Sequence, residues 1–217
     1  MRAITHCLAA AGLFLATVPH VGSAQMPGQP VLQNAFTNPG WAFGVNYGDS
    51  DEARGYGGAV AWGNGSAKFG LSVGGGIWDP ADGESVFAWG ARGMWSPLRF
   101  ANDRMGGAVF AGIGGARQGE LDLVEVPIGV SVGFRTRISE TRGISVYGAP
   151  FFRVSRADLG GGEGTTKGHF RASLGVDAAV LPRLGVTIGY EFGATADAGD
   201  PGPTGGTFGL GISYVLR

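Results

Sequence analysis

Residues 124–138 read VEVPIGVSVGFRTRI and alternate without a break. Val124, Val126, Ile128, Val130, Val132, Phe134 and Ile138 fall on one side. Glu125, Pro127, Gly129, Ser131, Gly133, Arg135 and Arg137 fall on the other. Only a period of two separates the classes so cleanly, so the stretch is a β-strand with one apolar and one polar face. In a soluble sandwich the apolar face would pack inward. In a membrane barrel it would meet lipid, and the polar face would line a lumen. The rest of the chain decides between them.

Glycine is abundant, 43 of 217 residues, but has no Gly-x-y period, which excludes collagen. A hydrophobic share of 44% is too high for a disordered chain. Charge is nearly balanced, 16 Lys+Arg against 17 Asp+Glu, and no basic patch carries interleaved aromatics, so nucleic acid is not expected as a partner. No run approaches 18 apolar residues, and glycine recurs too densely for long amphipathic helices. What remains is an all-β protein of one domain.

The first 24 residues differ in kind. Arg2 gives a positive start, residues 8–18 are apolar, and Gly22-Ser23-Ala24 offers small residues for cleavage. This is the pattern of a secretory signal peptide, residues 1–24, cut before Gln25. Cys7, the one cysteine, lies within it, so the mature chain would carry no thiol and no disulfide. Residues 25–39 contain Pro27, Pro30 and Pro39 and show no period. They read as an extended leader ahead of a barrel domain spanning residues 40–217.

From residue 40 onward the chain breaks into ten alternating segments: 41–47, 56–62, 69–78, 86–95, 106–117, 124–138, 144–154, 170–180, 184–192 and 208–216. The fifth is ambiguous, because Val109 and Ile113 alternate against Phe110. An eight-stranded version results if the first or fifth segment is not a strand. Pro127 and Pro150 each remove a ladder donor, so a bulge is expected near one of them. The odd connections (49–54, 79–84, 118–123, 156–167 and 195–206) hold twelve of the 17 acids and are mostly longer. The even ones (63–68, 139–143 and 181–183, with 96–105 the long exception) lean basic through Lys68, Arg99, Arg104, Arg142 and Arg183. An up-and-down meander puts each set at its own end. Long acidic loops outside and short turns inside is the outer-membrane pattern.

Aromatic residues sort the same way. On the lipid-face assignment Trp41, Trp62, Phe69, Trp95, Phe134 and Tyr214 lie near the short-turn end. Tyr47, Tyr56, Phe152, Phe170, Tyr190, Phe192 and Phe208 lie near the other. Two belts at strand ends are what a bilayer interface selects. The sequence therefore predicts a ten-stranded, up-and-down antiparallel transmembrane β-barrel.

In this architecture, over residues 41–217 plus the signal peptide, the chain resembles the small outer-membrane barrels grouped around OmpA- and OmpW-type porin-like domains. Gly211, Tyr214 and Leu216 fit that family's C-terminal assembly signal, while Gly209 lacks its polar residue and Arg217 replaces its terminal aromatic. The resemblance implies a Gram-negative-type outer membrane, surrounded by lipid and lipopolysaccharide. It also implies insertion by the barrel assembly machinery through the C-terminal strand. It carries over no functional residue.

Candidate chemistry is sparse. Ser131 and Ser72 each sit in a G-x-S-x-G pattern, but within continuing alternation rather than on the strand-to-helix turn a nucleophile needs. His169 shares a face with Arg171, Ser173 and Asp177, yet four residues along a strand is roughly 13 Å, too far for a His–Ser hydrogen bond. An envelope-lipid enzyme is thus the weaker alternative, and a secreted β-sandwich a third. Glycine runs at 74–76, 112–115 and 160–164 are not followed by a Lys and a helix, so they are not phosphate loops. One mature histidine and no cysteine cannot make a zinc site, and 49–52 lacks the EF-hand glycine and terminal Glu. No cofactor or metal is expected.

The inward faces instead collect charge: Arg92, Glu125, Arg135, Arg137, Arg153, His169, Arg171, Asp177 and Glu191. Counting back from the turn at 181–183 puts Glu191 beside Ser173 and diagonal to Arg171. Arginines pairing across space left by inward glycines would mostly plug the lumen. Five inward bases against three acids would bias any residual pathway toward anions. The function expected is structural, adhesive or narrow-pore.

Overall fold

The computed structural model describes residues 24–66, 68–81, 83–119, 121–139, 142–159, 164–193 and 205–216. Ten strands follow in order: β1 Gly40–Asp49, β2 Ala53–Asn64, β3 Phe69–Pro80, β4 Val86–Phe100, β5 Met105–Gln118, β6 Leu121–Arg137, β7 Gly143–Leu159, β8 Thr165–Leu181, β9 Leu184–Gly193 and β10 Thr207–Leu216. Each pairs antiparallel with the next, and β1 pairs with β10 from Trp41↔Leu216 to Asp49↔Phe208, so the sheet closes. Closure removes both sheet edges and pairs the strand backbone without help from water, which a membrane-spanning sheet requires. The first and fifth segments are both true strands. In β5 Val109 and Ile113 point outward and Phe110 inward, which resolves the ambiguous register.

The faces are inverted relative to a soluble protein. On β6, Ile128, Val130 and Val132 are 57%, 46% and 57% exposed, while Glu125 and Ser131 are 2% and 1% exposed. Alternation continues on β10, where Phe208, Leu210, Ile212 and Tyr214 face out and Thr207, Gly209, Gly211 and Ser213 face in. Both aromatic belts are built from cross-strand neighbours. Trp41 pairs with Trp62, and Phe69 with Trp95, at the short-turn end. Tyr47 pairs with Tyr56 (ring centroids 5.2 Å apart), Phe152 with Phe170, and Phe208 with Tyr190, at the other. Adjacent rings in register stabilise the strand pairing that presents them.

Three details depart from the sequence-based expectation. No bulge accompanies Pro127 or Pro150: the β6–β7 register runs unchanged from Gly129↔Phe151 to Val132↔Gly148. A missing N–H drops a hydrogen bond there without inserting a residue. The register shifts fall instead at Trp95/Leu98, beside Pro97, and at Ala179/Leu181, beside Pro182. The shift at Pro97 lets β4 continue to Phe100, so the long connection 96–105 shrinks to a turn in which Ala101, Asn102 and Asp103 all have positive φ. Likewise 118–123 is no long loop, because Gln118 pairs with Leu121 around a tight turn with Gly119 at φ +59. Loop length thus separates the two ends less than loop charge does. The rim is lopsided as well: β6, β7 and β8 have 17 residues each, against 10 in β1, β9 and β10.

Candidate functional site

Residues 24–36 lie inside the barrel. Nearly every one is buried, although none belongs to a strand. From Gly40 at the start of β1 the segment runs back past the short-turn mouth, where the Asn38 carbonyl fills the space a side chain at Gly63 would need. It crosses the lumen past Asn34 and Val31 and reaches Gly28, which packs on Gly48, Gly55 and Trp78 near the opposite end of β1. There it turns, with the Gln29 amide donating to the Met26 carbonyl at 3.2 Å and Gly28 at φ +77. A left-handed φ of this kind suits glycine. Ala24 and Gln25 then descend against Gly74, Gly90 and Gly114.

The glycines on the inward face are the trace of this segment. A Cβ at Gly90 or Gly114 would collide with the Gln25 carbonyl, and at Gly48 with the Gly28 carbonyl. At Gly209 it would strike the Pro30 ring, and at Gly189 the Leu32 side chain. The sequence predicts that arginines fill the volume these glycines leave. Arg92, Arg153 and Arg171 are buried in the lumen, and main chain occupies the space against the glycines themselves. A wall without Cβ atoms is what lets a peptide lie so close.

Buried main chain needs partners. Val31 donates to Glu191 Oε2 at 2.7 Å, and its carbonyl accepts from Ser173 Oγ at 2.6 Å. The Leu32 carbonyl accepts from Arg92 Nη1 at 3.1 Å, and the Ala35 carbonyl from Ser96 Oγ. Side chains add to this. Asn34 Nδ2 donates to Asp177 Oδ2 at 2.6 Å and to Ser145 Oγ at 2.9 Å, and Gln25 Oε1 accepts from Arg92 Nη2 at 2.9 Å. Phe36 stops the short-turn mouth between the Arg99 and Arg135 guanidiniums, 4.9 and 4.5 Å from its ring centroid. Val31 meanwhile joins Met94, Phe110, Ala149 and Phe151 of the wall in one apolar cluster. Two cavities beside the segment hold about 30 and 20 Å³, room for single waters.

Six of the sequence-predicted lumen charges are buried: Arg92, Glu125, Arg153, Arg171, Asp177 and Glu191. Glu191, the ladder partner of Ser173, gathers two arginines, with Arg171 Nε at 2.5 Å and Arg153 Nη2 at 2.8 Å. Arg153 also reaches Glu125 at 3.7 Å. Asp177 accepts from Thr187 Oγ1 at 2.7 Å as well as from Asn34. Arg135 is half-buried over Phe36, and Arg137, one inward step further along β6, is exposed because the strand ends there. His169 is half-buried as the ladder partner of Arg153, with Ser173 four residues away on the same strand. Among the described residues buried charge is three against three, so the five-to-three excess of bases does not extend to the fully enclosed part of the lumen. Among the described residues no group of three or more His, Cys, Asp and Glu could hold a metal.

No protein-family model matches the chain, and no curated protein matches it. Solved structures do share its architecture. The β domain of the Bordetella autotransporter BrkA superposes with a TM-score of 0.54 at 15% identity, over 81% of this chain and 98% of that one. The chain has the fold of the small outer-membrane β-barrels. Neisserial surface protein A (NspA) aligns over 81% of this chain and 94% of its own, at 13% identity and a TM-score of 0.39. Ail, the attachment invasion locus protein of Yersinia pestis, aligns over 82% and 100%, at 12% identity and a TM-score of 0.32.

Proposed function

We propose that this chain is an outer-membrane barrel of structural or adhesive type, closed by its own N-terminal segment. The observation that carries this reading is the burial of residues 24–36 in the lumen, tied to the wall by charged side chains. A pore would leave that polar wall to water. Here Glu191, Ser173, Arg92 and Asp177 are engaged by main-chain and side-chain groups of the segment. Ser173 is thereby unavailable as a nucleophile, which supports a non-enzymatic role. The raised wall of β6–β8 supports a surface contact: residues 164–168 are exposed on both faces, and Arg117–Asp122 and Arg156–Asp158 pair beside them. The apolar outer face would sit in lipid and lipopolysaccharide, with β10 read by the assembly machinery.

Planar-bilayer recording tests the closed lumen. The full chain should be silent or give rare brief events, and a variant lacking residues 25–36 should give stable steps. Large stable steps from the full chain would sink the proposal.

A further inference from the structure

Gln25 follows the small-residue stretch Gly22-Ser23-Ala24, and it is among the least exposed residues of the chain, at 0%. It lies deep in the lumen, its carbonyl pressed on Gly90 of β4 and Gly114 of β5. Cleavage after Ala24 would therefore place the new α-amino group inside the barrel rather than at a mouth.

That position does not suit an ammonium. Buried charge around the segment is already balanced, Arg92, Arg153 and Arg171 against Glu125, Asp177 and Glu191. Glu191 is shared by two arginines, and Asp177 is held by Asn34 and Thr187. Glu125, the ladder partner of Gly114, faces Arg153 and Ser155. A fourth positive charge would sit beside Arg92 with no carboxylate to itself, and an unpaired buried ion is strongly disfavoured. The Gln25 side chain shows a second mismatch. Its Oε1 accepts from Arg92 Nη2 at 2.9 Å, but its buried Nε2 has no hydrogen-bond partner among the described residues.

We propose that the mature chain begins with 5-oxoproline, formed by cyclisation of Gln25; this rests on export with cleavage after Ala24. The α-amino nitrogen attacks Cδ of its own side chain, and the new N–Cδ bond closes a five-membered lactam. The Cδ–Nε2 bond breaks, and Nε2 leaves as ammonia, taking a proton from the attacking amine. No oxidant, reductant or cofactor takes part. One step removes both mismatches: the titratable amine becomes a neutral amide, and the orphan Nε2 departs. Oε1, the atom Arg92 binds, is kept as the lactam carbonyl. Ring closure precedes threading, while the exported chain is still open to water.

The test is the N-terminus of protein isolated from membranes of cells expressing residues 1–217. Free amines are dimethylated in denaturant at lysis, before any digestion, so that later cyclisation cannot mislead. Tandem mass spectrometry should find an unlabelled N-terminal peptide starting at residue 25 and lighter by one ammonia. That peptide should become sequenceable after pyroglutamyl aminopeptidase. A dimethylated Gln25 would overturn the cyclisation while leaving the cleavage site intact. An N-terminus at another residue would overturn the cleavage, and the proposal with it.

Discussion

Glu191 accepts the backbone N–H of Val31 at 2.7 Å, so one carboxylate of β9 fixes the threaded segment inside the lumen. The same carboxylate binds Arg153 and Arg171, and thus couples the wall to its filling. Glu191→Ala should leave two buried guanidiniums without their main counter-charge and cost about 3–5 kcal/mol. Glu191→Gln keeps an acceptor for Val31 and should cost less. Urea unfolding from lipid vesicles measures both, and an Ala variant as stable as wild type would contradict the coupling.

Gly90 and Gly93 lie on opposite faces of β4 and separate the segment from the barrel. A Cβ at Gly90 falls on the Gln25 carbonyl, whereas at Gly93 the nearest contact is the Leu71 side chain at 3.4 Å. Gly93→Ala should stay within about 0.5 kcal/mol of wild type. Gly90→Ala should loosen the segment by about 1–3 kcal/mol without preventing closure of the barrel. The expected readout is channel activity in planar bilayers from Gly90→Ala and none from Gly93→Ala. Equal silence from both would argue that residues 24–26 do not pack there.

The strands were legible because alternation is local: each residue declares its face through its neighbours two positions away. Even the pairing of Ser173 with Glu191 followed from counting across a short turn. Residues 25–36 were opaque for the opposite reason. With Pro27, Pro30 and Gly28 the segment has no periodic face, and its hydrogen bonds go to strands as far as 160 residues away. Two signals were nonetheless present. Amides recur at Gln25, Gln29 and Gln33, unusual for a mere spacer. The inward faces of β2 and β3 are glycine, alanine and serine almost throughout, while β7 and β8 send in Tyr147, Phe151, Arg153 and Arg171. A wall so poor in side-chain volume on one side needs something else to fill it.

The outward face of β6 makes a sharp contrast between neighbours. Val130 is 46% exposed and Ser131 is 1% exposed. Val130→Arg near mid-membrane should cost roughly 2–4 kcal/mol and block insertion into vesicles. Ser131→Arg should insert, but it adds a guanidinium to a filled lumen and should displace the segment, seen as channel activity. If Val130→Arg inserted as well as wild type, the assignment of that face to lipid would fail.

Orientation follows from which rim reaches the outside. The β7–β8 rim carries Arg156, Asp158, Thr165, Thr166 and Lys167, all beyond the Phe152–Phe170 aromatic pair. The opposite rim carries the turn that joins β6 to β7, where the Ile138 amide donates to the Arg142 carbonyl at 3.0 Å. The segment enters the lumen from that second rim. On the outer-membrane placement proposed above, a chain that threads its own barrel from the side on which it is delivered would keep that rim in the periplasm. Cys7 is the one cysteine of the chain, so Cys7→Ala combined with one introduced cysteine leaves a single reactive thiol. Both Thr165 and Ser139 are exposed. On intact cells a membrane-impermeant maleimide should label Thr165→Cys and spare Ser139→Cys. Once the envelope is opened, both should react. Labelling of Ser139→Cys alone on intact cells would invert the topology and place the entry of the segment on the outer surface.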